Sequence, residues 1–409
     1  MIVANDNLAP QELPPPLCGN EPGSFAEDTL SRRLPGIARS LLDESLHPLA
    51  QTRLGALVDD MPHGRLRPIQ DPGAPDIANW QTDLQPYLGQ TWLEAPWFVA
   101  ELYFFRRILE ATGYFQPGPG QGVDPYRSQK AKGLSGVTGQ LEQALVGLEP
   151  TGTPGKEPLQ ETLLRLIHTV VWGNRADLSV WPAGSAKPPP VADSQQLAQL
   201  LVDDAPAVVE FILNQTGRLT NVDFILDNVG LELAYDLLLA DFLLGRGLAK
   251  QVRLHAKSFP TYVSDATIPD VRALVAYLAQ AAEPGVRDLG SRLHACLDHN
   301  RLHLQTSLFW TSPLPAWEMP PEMRRELARP GLLISKGDAN YRRWLGDRHW
   351  PFTTPIQPIL AYRSAPLLLL RVMKSELVAG LQPGQPETLY QSDPTWLFDG
   401  RSGLIQFVR

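Results

Sequence analysis

Three short stretches carry residue types that could do chemistry. In VDFILDNVGLE (222–232) and RLHAKSFPTYVSDA (253–266), an apolar run ends in oxygen donors: Asp227 with Asn228, then Asp265. Carboxylate and amide oxygens suit a hard divalent cation. Two carboxylates brought to one sheet edge repel each other unless a cation bridges them or a proton neutralises one. In LLISKGDANYRRWLGD (332–347), an apolar run passes through Gly337 and Asp338 into a helix start. Backbone N–H groups there, with Lys336 and Arg342, could hold a phosphate. The combination points to a metal-assisted reaction on a phosphate ester. Asp227, Asn228 and Asp265 are the expected metal ligands, and Asp227 and Asp265 the catalytic carboxylates.

Each of these residues also has a plainer use. Asp227, Asn228 or Asp265 could simply cap the helix that follows it. Glu232, in a first helical turn, suits the helix dipole. Lys374 in LRVMKSELVAGL follows an apolar run and by itself reads as a solvated lysine. Other motifs carry less. GPGQG (118–122) does not follow a strand and lacks the Gly-Lys-Ser/Thr of a phosphate loop. Cys296, His299 and His303 lack the second cysteine cluster of a zinc site. No Gly-x-Ser-x-Gly elbow supports a serine hydrolase.

The elements that must position these groups are of two textures. Residues 1–25, rich in Pro, Asn and Gly, read as a flexible lead-in, and residues 26–216 as a mostly helical region. Its clearest helix spans 91–114, with Leu93, Trp97, Ala100, Phe104 and Ile108 on one face. From 217 to 409, short β-rich runs at 222–227, 252–257, 331–335 and 366–372 alternate with helical stretches, 231–247 being the strongest. Such alternation predicts a mainly parallel sheet covered on both faces. The expected fold class is α/β: a three-layer α/β/α sandwich preceded by an N-terminal helical region. In such sheets the ligand crevice lies beyond the carboxyl ends of the strands, where Asp227, Asp265 and Lys336 fall.

Bulk properties narrow the partners. The 36 Lys and Arg against 44 Asp and Glu give a charge of −8, and no basic stripe offers a surface for nucleic acid. An acidic enzyme for an anionic substrate must concentrate its cations locally. No apolar run reaches the roughly 20 residues that span a bilayer. Only Cys18 and Cys296 are present, and the N-terminus does not read as a signal peptide. A cytoplasmic enzyme acting on a small phosphorylated metabolite is the expectation, with no nucleic acid or membrane partner.

Taken together, DNVGLE, SDA, KGDANYRRWLGD and LRVMKSELVAGL resemble the damage-control phosphatase family, once known only as a domain of unknown function. The likeness is to the branch holding fructose-phosphate phosphatases and a reported acidic-residue O-methyltransferase. WLEAPWFVAELYFFRRILE (92–110) and VVWGNRADLS (170–179) extend it to about 30–380. The resemblance implies a divalent metal (Mn, Co, Ni or Mg) on Asp227, Asn228 and Asp265. It implies substrate contacts at Glu232, at Asp338 through Arg342 (Asn340 included), and at Lys374, with Asn174 carried over by motif alone. Where that branch has a glycine-rich stretch after Asp-Asn, this chain has Val-Gly-Leu, which removes none of the inferred ligands.

The expected activity is metal-dependent hydrolysis of a small sugar phosphate such as fructose 1-phosphate or fructose 6-phosphate. Arg342 and Lys374 would clamp the phosphate rather than support the fold. The nucleophile, a metal-bound water or the Asp227 carboxylate, stays open. The alternatives are an S-adenosylmethionine-dependent protein carboxyl methyltransferase and a non-catalytic sugar-phosphate-binding protein. Against methyl transfer, no glycine-rich turn follows the first core strand. Nucleotides are expected to be poor substrates, because no aromatic platform adjoins the motifs.

Overall fold

Among the described residues, seven short strands form one sheet at the centre of the molecule. The computed structural model describes residues 13–42, 46–148, 159–173, 194–215 and 219–409. The strands are β1 (Leu200–Asp203), β2 (Leu219–Ile225), β3 (Ala249–Ala256), β4 (Leu302–Thr306), β5 (Leu332–Lys336), β6 (Leu367–Val372) and β7 (Gly403–Val408). Their order across the sheet is β1-β7-β6-β5-β2-β3-β4. All neighbours run parallel except β6 and β7.

Period-two alternation explains why both faces are covered. Val222 and Phe224 of β2, Leu332 and Ile334 of β5, and Leu368 and Leu370 of β6 join one apolar cluster. Ile225, Leu333, Leu367 and Leu369 join the other, with Trp97, Phe104 and Ile108. A mainly parallel sheet between two helical layers is the α/β sandwich expected from the sequence.

Four strands match the β-rich runs at 222–227, 252–257, 331–335 and 366–372. Strand β1 lies within the stretch read as helical and pairs with β7, so position 217 does not part helix from sheet. Residues 13–25 depart from the flexible lead-in expected of them. Leu17 is buried, its N–H donates to Asp347 O (2.9 Å), and its carbonyl accepts from Trp97 N (2.8 Å). The helix predicted over 91–114 runs Trp97–Thr112, starting after Pro96 and ending at Gly113, which takes φ 73°.

The sheet places the site through its connections. From β2 the chain moves outward to β3 and β4, then returns to the opposite side of β2 to form β5. That reversal between β2 and β5 leaves a crevice at their carboxyl ends, where open α/β sheets take ligands. Asp227 follows β2 and Gly337 follows β5.

Candidate active site at the β2–β5 crevice

The loops after β2 and β3 are tied together by their backbones. Ala266 N–H donates to Asp227 O (2.8 Å) and Val229 N–H to Ser264 O (2.8 Å), which sets Asn228 opposite Asp265. Two non-glycine residues just before, Tyr262 (φ 46°) and Val263 (φ 64°), take left-handed conformations. A β-branched residue there is strained, and such strain collects at functional sites. The three expected ligands are thus brought together by an over-determined pair of loops.

The side chains are ordered as closely. The Asn228 amide donates to Asp227 Oδ2 (2.8 Å) and to Glu232 Oε2 (3.0 Å), while its Oδ1 accepts from the Ser264 hydroxyl (2.6 Å). Asp265 Oδ2 lies 3.2 Å from the Lys257 ammonium, which also donates to Asn340 Oδ1 (3.3 Å). Gly337, with φ 81° and ψ 177°, passes so close to Asp227 that an added Cβ would lie 1.8 Å from Oδ2. Only glycine tolerates both that conformation and that approach. A Gly337→Ala substitution is expected to cost about 1–3 kcal/mol from backbone strain alone. It should also displace the Asp227 carboxylate, so chemical denaturation and phosphate release should both register the change.

Asp227, Asn228 and Asp265 line a narrow cleft of about 420 Å³, counting its open mouth. Two carboxylates and an amide are the hard donors that a divalent cation takes, and Gly337 leaves the Asp227 carboxylate its place. The set fits such a cation. It also explains why no group of three or more His, Cys, Asp or Glu is found among the described residues: one of the donors is an amide.

The same cleft is lined by Asp338, Ala339, Arg342 and Lys374. The Asp338 carboxylate accepts from Arg371 Nε (2.8 Å) and the Ser375 hydroxyl (3.1 Å). Arg342 is buried, donating to both carboxylate oxygens of Asp347 (2.7 and 2.9 Å) and to Glu101 Oε2 (2.6 Å), with its guanidinium 3.7 Å from the Trp97 ring centre. Burial disfavours its charge, but Asp347 and Glu101 outweigh that and raise its pKa well above the ordinary value. Burial raises the pKa of Glu101, against the pull of Arg342. The expectation that Arg342 serves the phosphate and not the fold is therefore corrected. It ties the Trp97–Thr112 helix to the helix after β5, and three of its five N–H donors are already used.

Three other expected participants are engaged by neighbouring groups of the chain. Glu232 was to contact substrate, yet it is buried beneath the site, holding the Asn228 amide and facing Lys336 (3.4 Å). Asn340 is engaged on both ends of its amide, donating to Leu226 O (3.0 Å) and Lys336 O (2.8 Å) and accepting from Lys257. Lys336 was to offer charge to a phosphate, but pairs with Asp236 (3.0 Å) and donates to Val170 O (3.0 Å). Burial weighs against the Lys336 charge, but Asp236 and Glu232 together raise its pKa. Burial lifts the Asp236 pKa to about 7. Asn174 lies outside the described residues.

Other participants come from places the motifs do not mark. Lys257 sits inside a quoted stretch, but a lysine at a strand end gives no sign of its partner. Phe25 and Arg33 line the cleft from the N-terminal segment, and Trp97, Glu101 and Tyr262 complete its walls.

Residues 29–389 match the model of the "Damage-control phosphatase ARMT1-like domain". The chain belongs to this family. A mouse (Mus musculus) relative named Damage-control phosphatase ARMT1 is 35% identical over 330 residues, covering 77% of this chain and 75% of that one. The human (Homo sapiens) protein of the same name is 29% identical over 442 residues, covering 97% and 98%. A solved structure of a DUF89 family protein from Pyrococcus horikoshii aligns over 91% of this chain and 95% of its own, with 13% identity and a TM-score of 0.45. Membership makes the protein a phosphatase of the damage-control family. No helix among the described residues is long and apolar enough to cross a membrane.

Proposed function

We propose that the protein is a cytoplasmic, metal-dependent phosphomonoester hydrolase for small sugar phosphates, with fructose 1-phosphate or fructose 6-phosphate as its type of substrate. The observation that carries this reading is one cleft lined by Asp227, Asn228 and Asp265 together with Lys374 and Arg342. Mn, Co, Ni or Mg would be held by the first three residues. A cation there would polarise the phosphoryl oxygens and offset developing charge.

The chain's own groups do the rest. Lys374 and the remaining donors of Arg342 hold phosphate oxygens, so charge is met by preorganised partners. Lys257 offsets the Asp265 carboxylate and holds it in place. Glu232 and Ser264 fix the Asn228 amide from either side. Attack by a water beside Asp227 and attack by the Asp227 carboxylate both fit this placement. Trapping a phosphorylated Asp227 during turnover separates them. An oxygen-donor set sharing a cleft with cations is superfluous for methyl transfer, which leaves hydrolysis favoured.

Among the described residues first considered for sugar selectivity, Asp338 is the one that lines the cleft, since Glu232 and Asn340 are turned inward. The basis for excluding nucleotides changes too, because Phe25, Trp97 and Tyr262 do reach the cleft. Their rings are engaged, however, Tyr262 by Phe105 at 4.8 Å. Phe25 stacks on Phe398 at 4.8 Å and carries Arg33 at 4.7 Å, while Trp97 carries Arg342. A base would have to displace them, so sugar phosphates should still outperform nucleotides.

Replacing Lys374 with methionine should cost roughly 2–4 kcal/mol of transition-state stabilisation, the scale of one preorganised charge contact. Steady-state phosphate release with fructose 6-phosphate and Mn or Mg tests it. Near-normal turnover in that variant would remove Lys374 from the clamp. A screen over sugar phosphates, nucleotides and aryl phosphates tests the substrate class, and nucleoside monophosphates leading it would overturn that class.

A further inference from the structure

We infer that Arg33 is a binding residue for the substrate phosphate, and that Glu376 is a positioning residue fastening the segment that delivers it. This rests on the phosphatase reading. The helix Phe25–Asp28 and the widened turn Thr29–Arg33 bring two side chains, Phe25 and Arg33, into the wall of the cleft that holds Asp227 and Lys374. Widened turns of this kind are frequent at functional sites.

The guanidinium is held in place rather than left to swing. Arg33 Nη1 donates to Thr29 Oγ1 (3.0 Å), and the group lies over the Phe25 ring. That ring is fixed by stacking on Phe398 and by an edge contact to Trp97 at 6.0 Å. A planar cation mounted on an aromatic wall loses little freedom when it meets a phosphate, and its fork matches phosphate oxygens.

The mounting is anchored to the catalytic side. Phe25 N–H donates to Glu376 Oε1 (2.8 Å) and Ala26 N–H to Glu376 Oε2 (3.4 Å). Glu376 follows Lys374 by two residues, so one short segment carries the phosphate-facing lysine and the clasp for Arg33. The position of Arg33 is thereby set relative to Lys374, across more than 340 residues of sequence.

The experiment compares the wild type with Arg33→Met, Arg33→Gln, Arg33→Lys and Glu376→Gln. Titration calorimetry with inorganic phosphate in saturating Mg measures phosphate affinity, and titration with Mn measures cation affinity. Arg33→Met should weaken phosphate binding roughly tenfold or more, the scale of one lost hydrogen bond between charged groups. KM for fructose 6-phosphate should rise in parallel, with cation affinity unchanged. Arg33→Lys should recover part of the loss, and Glu376→Gln should raise KM more than it lowers kcat. Phosphate affinity within twofold of wild type in folded Arg33→Met would overturn the inference, as would the same retention in the neutral Arg33→Gln if the methionine variant does not fold. A wild type that binds phosphate but hydrolyses no monoester would sink the phosphatase reading, while the Arg33 comparison would still decide this one.

Discussion

An Asp227→Asn enzyme should stay folded, bind divalent cations at least tenfold more weakly, and release phosphate at least roughly a thousandfold more slowly. The substitution keeps the side chain's shape beside Gly337, where an added methyl group alone would collide. It removes the charge that a cation needs, and the carboxylate that is one of the two possible nucleophiles. Asp265→Asn should follow it on both measures, and it also strips Lys257 of its ion-pair partner. Circular dichroism checks the fold, calorimetry with Mn the cation affinity, and phosphate release the rate. Wild-type turnover in either variant would remove that carboxylate from the site.

The second large effect concerns stability. Arg342→Met should destabilise the protein by about 3–5 kcal/mol, because Asp347 and Glu101 would be left buried without their cation. The loss should appear as a lower midpoint in denaturant at unchanged slope. Adding Glu101→Gln should recover part of it, since Glu101 already has a raised pKa through burial and is readily replaced by a neutral partner. A variant as stable as wild type would return Arg342 to a role in binding alone.

These two cases show what the sequence makes legible. Strands β5 and β6 could be read because they are near-continuous apolar runs, and β2 and β3 from the apolar residues of their buried carboxyl halves, Val222, Phe224 and Ile225 and Val252, Leu254 and Ala256. Strand β4, LHLQT, is an edge strand with polar residues, and β1 has only four residues at the opposite edge. Neither carries a strong period. Asp227, Asn228 and Asp265 were legible because the loops following adjacent parallel strands open on the same crevice.

Direction was harder to read than position. Glu232 and Asn340 each stand in a first helical turn beyond a strand, where a polar residue can face the crevice or the sheet. Both face inward because Lys336 and Lys257 are buried there and need partners. Arg342 was legible as a cation near the crevice, but its carboxylate partner Glu101 lies in a helix 241 positions away. Phe25 and Arg33 carry no local motif at all. Only the docking of residues 13–25 and the clasp at Glu376 bring them to the cleft.

The most direct measurement is phosphate release from fructose 1-phosphate and fructose 6-phosphate by enzyme stripped with EDTA and verified metal-free. Turnover should fall to background and return, to different degrees, with Mn, Co, Ni or Mg. Asp227→Asn enzyme should not be rescued by any of them. Full turnover by the metal-free protein would contradict a cation held by Asp227, Asn228 and Asp265.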